Sequence, residues 1–310
     1  EEAMSLAARD VLKEVVEKSP YELLDKNNYR KLYYEMSKEA QYKECLLMAE
    51  YAENTKHCMV SYYVLSPVGD AKTVGGSYQR MFPTMKLYRS YDNADVRRDC
   101  NITGAYNPNN RYGSDLSKIP SETVDGYRYY VPAESSGVAS GTSTALWCTG
   151  KFRVSDPKER SSISANQCVM NYPLMRMAEV RLQYAEALYF TGDESGARKQ
   201  FDPVRERVLA GDVSLKKLNE AYYRSDFVEE LLEERGRELC YESKRKIDLI
   251  RFGRITETIE ELPSEGGPNN VAVGIDLLKD NWRSYKIWLP VPQLEIDLNP
   301  NLEQNAVYAD

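Results

Sequence analysis

Residues 172–208 constrain the fold of this chain most strongly, because they read as two amphipathic helices joined by a tight turn. One apolar stripe recurs at spacings of three and four: Leu174, Met177, Ala178, Leu182, Ala185 and Leu188. A second stripe follows: Ala197, Phe201, Val204 and Val208. Between them, Gly192 suits a left-handed helix end and Asp193 suits a helix N-cap. Such a pair buries its apolar faces only by stacking on neighbours, which predicts an all-α fold of tetratricopeptide-like helical repeats.

The remaining helical patterns support this fold class. They cover residues 3–18, 28–36, 172–190, 193–210, 214–223, 225–242 and 244–252. Pro203 predicts a kink or a restart in the second helix of the pair, because it lacks an N–H and disfavours helix at the preceding residue. Prolines also punctuate residues 263–310, which we expect to be mainly extended.

A large loop-rich insert separates the helical regions. Between residues 56 and 171, Gly, Pro, Ser, Asn and Asp cluster repeatedly, and short runs such as 58–64 and 127–131 predict a few strands. Loops of this length inside a compact chain are typical of functional regions. Because low-complexity runs and separate linkers are absent from the sequence, we favour one structural unit.

Composition excludes several classes of function. The net charge of -7 argues against a nucleic-acid partner, and no run approaches the roughly 20 apolar residues of a membrane-spanning helix. His57 is the only histidine and the six cysteines lack CxxC pairs, which excludes a His-rich metal site and zinc-finger spacing. We expect buried or free thiols. A calcium site built from Asp92, Asp95 and Asp99 stays open, without EF-hand spacing; no cofactor is predicted.

The charged residues favour structure over catalysis. A ladder of opposite charges recurs at helical spacing: Arg235, Glu238, Glu242, Arg245, Asp248 and Arg251. Neighbouring arginines lower a carboxylate pKa, which suits ion pairing and not a general acid. A second set predicts a solvated face: Glu229, Glu230, Glu233 and Glu234. In a strand, His57 and Cys58 would point to opposite faces and form no dyad, so we predict that the protein is not an enzyme.

Aromatic residues offer a binding surface. The chain has 24 tyrosines and 3 tryptophans against 6 phenylalanines, and many of the tyrosines lie in the insert. A tyrosine combines a flat apolar ring with a hydroxyl, which suits the C–H faces and hydroxyls of a sugar and equally suits a peptide. The alternative is that individual rings fill a second small core beneath the loops.

Five segments, in order along the chain, resemble a known family. They are 78–84 with Tyr91 and 95–99, then 150–153, 172–208, 234–239 through 248–253, and 289–293 with 295–302. Together they resemble the SusD/RagB family, surface lipoproteins that capture nutrients for an outer-membrane transporter. Ser243 departs from the glycine that is common there, and Lys246 and Ile247 replace an aromatic pair.

The resemblance also implies a domain organisation. Residues 1–55 would end an N-terminal helical repeat region, 56–171 would form the ligand-binding insert, 172–262 helical repeat pairs, and 263–310 an extended C-terminal segment. At residues 44–53 the resemblance favours a strand, whereas propensity favours a helix, and both interpretations stay open. We further expect that the chain is a C-terminal portion of a longer protein whose secretory signal and lipid-attached cysteine precede it.

The function that the resemblance implies is capture without chemistry. The ligand would be an oligosaccharide or glycan, bound at the outer-membrane surface of a Gram-negative bacterium and delivered to a SusC-like TonB-dependent transporter. The ligand-binding residues would include Tyr127, Arg128, Tyr129, Tyr130 and Trp147, which precede the third helix pair. The alternatives are a peptide-capturing member of the same family and a helical-repeat scaffold that binds only protein partners.

Overall fold

The computed structural model describes residues 2–33, 38–51, 83–105, 121–124, 127–130, 146–152, 171–209, 222, 226–262 and 271–308. The α-helices in these residues are α1 (Glu2–Lys18), α2 (Lys38–Glu44), α3 (Met85–Arg89), α4 (Arg97–Asn101), α5 (Met177–Phe190), α6 (Glu194–Glu206), α7 (Phe227–Glu238), α8 (Arg245–Arg251), α9 (Ile255–Glu260), α10 (Val271–Asn281) and α11 (Gln293–Leu298). The strands are β1 (Cys45–Ala49), β2 (Ile102–Ala105), β3 (Ser121–Val124), β4 (Tyr127–Tyr130), β5 (Leu146–Thr149) and β6 (Tyr172–Arg176). Short 3₁₀ helices lie at Tyr29–Tyr33, Ser284–Ile287 and Ala306–Tyr308. Helices dominate, which confirms the predicted fold class.

The predicted helical hairpin is formed by α5 and α6, which pack against each other across a three-residue turn. Gly192 has a φ of +86°, the left-handed conformation that only glycine adopts without strain. The Asp193 side chain accepts a hydrogen bond from the Gly196 N–H at 2.8 Å. Both local predictions for this turn are therefore confirmed. Pro203 lies inside α6, which continues to Glu206, so the predicted restart is wrong and the predicted kink stays a prediction.

The start of the hairpin was predicted wrongly. The first five residues of the predicted helix form strand β6, which pairs antiparallel with β1, so α5 begins at Met177. Leu174 is consequently 43% exposed in a strand instead of lying on the helical stripe. For residues 44–53, the strand interpretation is confirmed at Cys45–Ala49, whereas Glu44 ends α2 and residues 52–53 lie outside the described residues. Because β1 precedes the insert and β6 follows it, their pairing holds the two ends of the insert together.

Two apolar clusters make up most of the described core. One lies between α5, α6 and α7, with fully buried Leu182, Phe201 and Leu231 at its centre and α1 packed on its outside through Leu12 and Val16. Burial of each large side chain stabilises the fold by roughly 1.5–3 kcal/mol. The other cluster lies beneath the insert, and its buried members are Leu24, Tyr29, Leu32, Tyr33, Cys45, Cys100, Phe152 and Val208. The insert is therefore packed directly on the helical scaffold.

The other predicted elements fall into three groups. The helices predicted at 3–18, 225–242 and 244–252 are confirmed as α1, α7 and α8, and the strand at 127–131 as β4. At 28–36 the described part is a 3₁₀ helix, Tyr29–Tyr33. The strand predicted at 58–64 and all but Tyr222 of the helix predicted at 214–223 lie outside the described residues.

The C-terminal segment is less extended than predicted. It contains α10 and α11 together with two short 3₁₀ helices, so the expectation of a mainly extended 263–310 is wrong for the described residues. Proline misled the prediction, because Pro292 is the N-cap of α11, where a missing N–H leaves no helical bond unmade. Among the helices of the described residues, none is both long enough and apolar enough to cross a membrane.

Candidate ligand-binding region

The five predicted ligand-binding residues lie on two neighbouring β-ribbons. The run Tyr127–Tyr130 makes up β4, which pairs antiparallel with β3. Trp147 lies in β5, opposite Gly104 of β2. Because β4 also runs beside β2, the backbone brings all five positions into one part of the insert. Their side chains lie outside the described part of the structure, so their contact with a ligand stays a prediction.

The ribbon formed by β2 and β5 leaves the helical scaffold at a fixed point. At its base, the Gly150 N–H donates to the carbonyl oxygen of Asn101 at 2.8 Å. A Cβ atom on Gly150 would lie 1.9 Å from the carbonyl oxygen of Cys100, so this approach requires glycine. The Asn101 side-chain amide donates in turn to the carbonyl oxygen of Arg237, in the last turn of α7, at 3.0 Å. The base of β2 is thus tied to α7.

Lys151 ties the other strand to the same helix end. Its side chain is fully buried, and its ammonium donates to the carbonyl oxygen of Glu238 at 2.8 Å and to Oε1 of Glu242 at 2.7 Å. The ammonium also lies 4.6 Å from the ring centroid of Tyr33, a cation–π distance. Carbonyl groups in the last turn of a helix lack helical partners and carry partial negative charge, which favours a cation there.

A buried ion-pair network lies beneath the ribbon base. Its cations are Arg97, Lys151, Arg176, Arg205, Arg207 and Arg237, and its carboxylates are Glu44, Asp95, Glu230, Glu234, Glu238 and Glu242. Each of these side chains is at most 5% exposed. Unpaired charges at such depth would cost several kcal/mol each, so the network depends on mutual pairing.

Arg176 lies at the centre of this buried ion-pair network. Its guanidinium donates to Glu44 at 2.8 Å, to Glu238 at 2.6 Å and to Glu242 at 2.8 Å. These partners belong to α2, to the end of α7 and to the turn that follows α7. Arg97 of α4 reaches the second oxygen of Glu238 at 2.7 Å. The network therefore joins segments far apart in sequence at the point where the insert meets the scaffold.

Arginines and a lysine lower the pKa of three carboxylates of the network, Glu234, Glu238 and Glu242, against the opposing effect of burial. Burial alone would raise the pKa of Glu238, but the guanidiniums of Arg207, Arg176 and Arg97 hold that pKa below its usual range. Burial would also raise the pKa of Glu234, but Arg97, Arg237 and Arg205 lower it below its usual range. A carboxylate with a lowered pKa is a poor general acid at neutral pH. The prediction that Glu238 and Glu242 form structural ion pairs is confirmed, but their partners are distant residues and not the ladder neighbours Arg235 and Arg245, because α7 ends at Glu238.

Two of the four glutamates predicted to form a solvated face are buried instead. Glu230 and Glu234 are 1% and 0% exposed, because they lie on the face of α7 that packs against α6. Arg205 of α6 donates to both of them, at 2.8 and 2.9 Å. Glu229 and Glu233 are partly exposed, since residues one position apart do not share a helix face. Sequence reasoning missed the buried pair because it took charge as a sign of exposure.

The possible calcium ligands have other partners. The carboxylate of Asp95 pairs with Arg97 at 2.6 Å, and that of Asp99 pairs with Arg98 at 2.8 Å. Asp92 accepts a hydrogen bond from a backbone N–H within its own turn. Within the described residues, no group of three or more histidines, cysteines and carboxylates is arranged to hold a metal ion.

The cysteine prediction is confirmed where the structure describes the thiols. Cys45, Cys100 and Cys240 are buried thiols. Burial raises the pKa of the Cys45 thiol to about 12 and also raises that of Cys240. A thiol with a raised pKa is a poor nucleophile near neutral pH. His57 and Cys58, considered as a catalytic pair, lie outside the described residues.

The amino-acid sequence of the chain is similar to those of several known proteins. The chain is 29% identical over 201 residues to the starch-binding protein SusD of Bacteroides thetaiotaomicron, which covers 63% of the chain and 31% of that protein. It is 28% identical over 250 residues to SusD-like protein P2 of Formosa agariphila, which covers 76% of the chain and 42% of that protein. The chain thus spans less than half the length of these relatives.

Solved structures share the fold. Surface glycan-binding protein A from Bacteroides thetaiotaomicron, solved in complex with laminarihexaose, superposes with a TM-score of 0.67 at 20% identity and covers 98% of this chain and 60% of that one. A SusD superfamily protein from Parabacteroides distasonis gives a TM-score of 0.65 at 20% identity, covering 99% and 58%. The family model described as the SusD family matches residues 14–308. The chain therefore belongs to the SusD family.

Proposed function

We propose that this protein captures an extracellular oligosaccharide or glycan at the cell surface, without chemical conversion. Family membership over residues 14–308 is the observation that carries the proposal, together with the similarity to a starch-binding relative. Glycan-binding names recur among the structural neighbours, including a neighbour solved with laminarihexaose. Glu234 and Glu238, whose pKa values are lowered by neighbouring arginines, are poorly suited to act as general acids at neutral pH.

The proposed site is the surface of the two ribbons, with Tyr127, Arg128, Tyr129, Tyr130 and Trp147 as its ligand-binding side chains. Aromatic rings stack on the C–H faces of sugars, and hydroxyl and guanidinium groups bond the sugar hydroxyls. A stiff base reduces the conformational freedom that ligand binding must remove. The fixed ribbon base, with Gly150 against Asn101 and Lys151 in the scaffold, supports such preorganisation.

In the cell, the bound glycan would pass to a SusC-like TonB-dependent transporter in the outer membrane. The full-length protein would be held there by a lipid anchor. A transporter gene next to the gene for this protein would support the pairing, and co-purification of the two full-length proteins from outer membranes would test it directly. Failure to co-purify under conditions that preserve a known SusC-like complex would count against the delivery step alone.

A glycan array followed by isothermal titration calorimetry tests the capture proposal. We expect at least one oligosaccharide to bind, and the Trp147→Ala and Tyr129→Ala variants to lose most of the affinity. Trp288→Ala and Tyr285→Ala are matched controls, since both rings lie in the C-terminal segment outside the insert, and Trp288 is 66% exposed. These controls should retain full affinity.

Three results would change the proposal. If the array is negative and a peptide library binds at the same residues, the protein is a peptide-capturing member of the family. If neither class binds and the ribbon rings are protected from solvent, a protein-binding scaffold replaces the capture role. If an oligosaccharide binds equally well to Trp147→Ala, Tyr129→Ala and the controls, the ribbons are not its site.

A further inference from the structure

The polar contacts at the base of the β2–β5 ribbon converge on one helix end. Asn101, the residue before β2, donates to the carbonyl oxygen of Arg237, and Lys151, two residues after β5, donates to the carbonyl oxygen of Glu238. These two carbonyl groups are consecutive and belong to the last turn of α7. Each strand of the ribbon is thus held by a buried polar side chain at the same place.

Burying the Lys151 ammonium at this position costs free energy. Removing an ammonium from water costs several kcal/mol, and well-packed apolar residues often give equal or greater stability than a buried ion pair. Its directional bonds to a carbonyl oxygen and to Glu242 do fix a position more narrowly than apolar packing. The backbone N–H of Lys151 also donates to the Thr149 hydroxyl at 3.1 Å, which stiffens the step between β5 and the anchor.

The neighbouring glycine leaves the ribbon little room to shift. The Gly150 backbone is in direct contact with the backbone of Cys100, where a Cβ atom would already overlap the carbonyl oxygen. Movement of β5 toward α4 is therefore blocked, and movement away from it would break the bond of Gly150 to Asn101. This geometry fixes the backbone near Trp147, because Trp147 lies in β5 only four residues before Lys151, which follows the end of that strand.

We propose that Lys151 and Asn101 are positioning residues that lock the β2–β5 ribbon to the C-terminal end of α7 and thereby set the place of Trp147 in the ligand site. The proposal rests on the proposed capture function for its consequence in binding, and on the geometry of the anchor for the rest. Neither residue needs to touch the ligand. Both act through the strand ends that they hold.

Tryptophan fluorescence tests the anchor without any ligand. Replacing Trp282 and Trp288 by phenylalanine leaves Trp147 as the only tryptophan. In that background, Lys151→Met should shift the emission maximum of Trp147 and lower its anisotropy, because methionine fills similar space but cannot donate hydrogen bonds. Asn101→Ala is a second variant, which removes a neutral side chain and no charge, and it should shift the same signals in the same direction even if Lys151→Met fails to fold.

Lys244→Met is the matched control. Lys244 likewise donates to a backbone carbonyl oxygen, that of Leu174, and pairs with a carboxylate, that of Glu179, but these contacts hold β6 and α5 and not the ribbon. Trp147 emission should be unchanged in this variant. The two lysine variants are compared under conditions in which the same fraction of each is unfolded. A general loss of stability would then change Trp147 emission equally in both, whereas loss of a specific anchor would change it only in Lys151→Met.

Calorimetry with maltohexaose and laminarihexaose adds the functional readout. For whichever of the two binds the unmodified chain, Lys151→Met should weaken binding by about tenfold or more, where tenfold corresponds to about 1.4 kcal/mol. Lys244→Met should leave the affinity within about twofold. Unchanged Trp147 emission and anisotropy in folded Lys151→Met or Asn101→Ala would overturn the anchor. If neither sugar binds the unmodified chain, the capture function is in question, while the fluorescence result still decides the anchor.

Discussion

Replacement of Arg176 by methionine should be among the most destabilising single changes in this protein. Its guanidinium is 1% exposed and donates to Glu44, Glu238 and Glu242. Removing one partner of a buried ion pair costs roughly 3–5 kcal/mol, because the other charge stays buried. The total stability of a folded domain is only about 5–15 kcal/mol. Arg176→Met therefore removes a large part of it.

The ion pairs that remain in Arg176→Met limit its loss of stability. Glu44 keeps Arg207, Glu238 keeps Arg207 and Arg97, and Glu242 keeps Lys151. No carboxylate is left without a cation, so we expect one cost of about 3–5 kcal/mol instead of three. With a denaturant slope of about 3 kcal/mol per molar, the urea midpoint should fall by roughly 1 M or more.

Urea unfolding followed by far-UV circular dichroism measures this shift. Arg251→Met is the control, since it makes the same chemical change at a side chain that is 43% exposed and paired with Glu186. An exposed pair contributes at most about 1 kcal/mol, so the control midpoint should barely move. Equal shifts of the urea midpoint in the two variants would refute the reasoning, because burial would then have no influence on how much an ion pair contributes to stability.

Three further predictions concern acid stability, capping and thiol reactivity. Glu234, Glu238 and Glu242 have a pKa of about 4.3 in the unfolded chain and a lower pKa in the folded one, so the unfolded state binds more protons. The free energy of unfolding should therefore fall as pH drops below about 5. Denaturation midpoints measured over a series of acidic pH values check this, and a midpoint that does not change with pH would contradict it. Asp193→Ala should cost about 1 kcal/mol by removing the N-cap of α6, measured by thermal unfolding, whereas Asp193→Asn should lose little. Cys45 should resist iodoacetamide at mildly alkaline pH in the native chain and react in concentrated urea, as read by mass spectrometry; rapid native labelling would disprove its burial.

Local signals in the sequence predicted the helical hairpin well. Gly192 and Asp193 each act within one turn of chain, and the apolar stripe around Leu182 repeats with the helical period. Such features need no knowledge of distant residues. The start of α5 failed for the opposite reason, because residues 172–176 take their backbone partners from β1, more than a hundred positions earlier.

The ion-pair network was hidden from sequence reasoning for a related reason. On α7, Glu230 and Glu234 continue the stripe that begins with Phe227 and Leu231, so the inward face changes from apolar residues to carboxylates. A search for the buried face that assigns every charged residue to the solvent-exposed side does not recognise Glu230 and Glu234 as buried. The partner that both glutamates share is Arg205 of α6, and this pairing depends on the folded arrangement of segments that are distant in sequence.

The arrangement of the proposed ligand-binding residues could be predicted only in part. Their residue types and the strand at 127–131 followed from the sequence, whereas the pairing that brings β4 beside β2 and Trp147 did not. Neither Asn101 nor Lys151 attracts attention in the sequence, because a single polar residue next to a strand has many possible roles. Their importance depends on the two carbonyl groups at the end of α7.

Hydrogen–deuterium exchange with and without an oligosaccharide identified on the array tests the central claim most directly. If the ribbons are the capture site on a stiff scaffold, saturating ligand should slow amide exchange in β4 and β5 and leave α5 and α6 unchanged. Binding that slows exchange only in the helices, with the ribbons unaffected, would contradict the account.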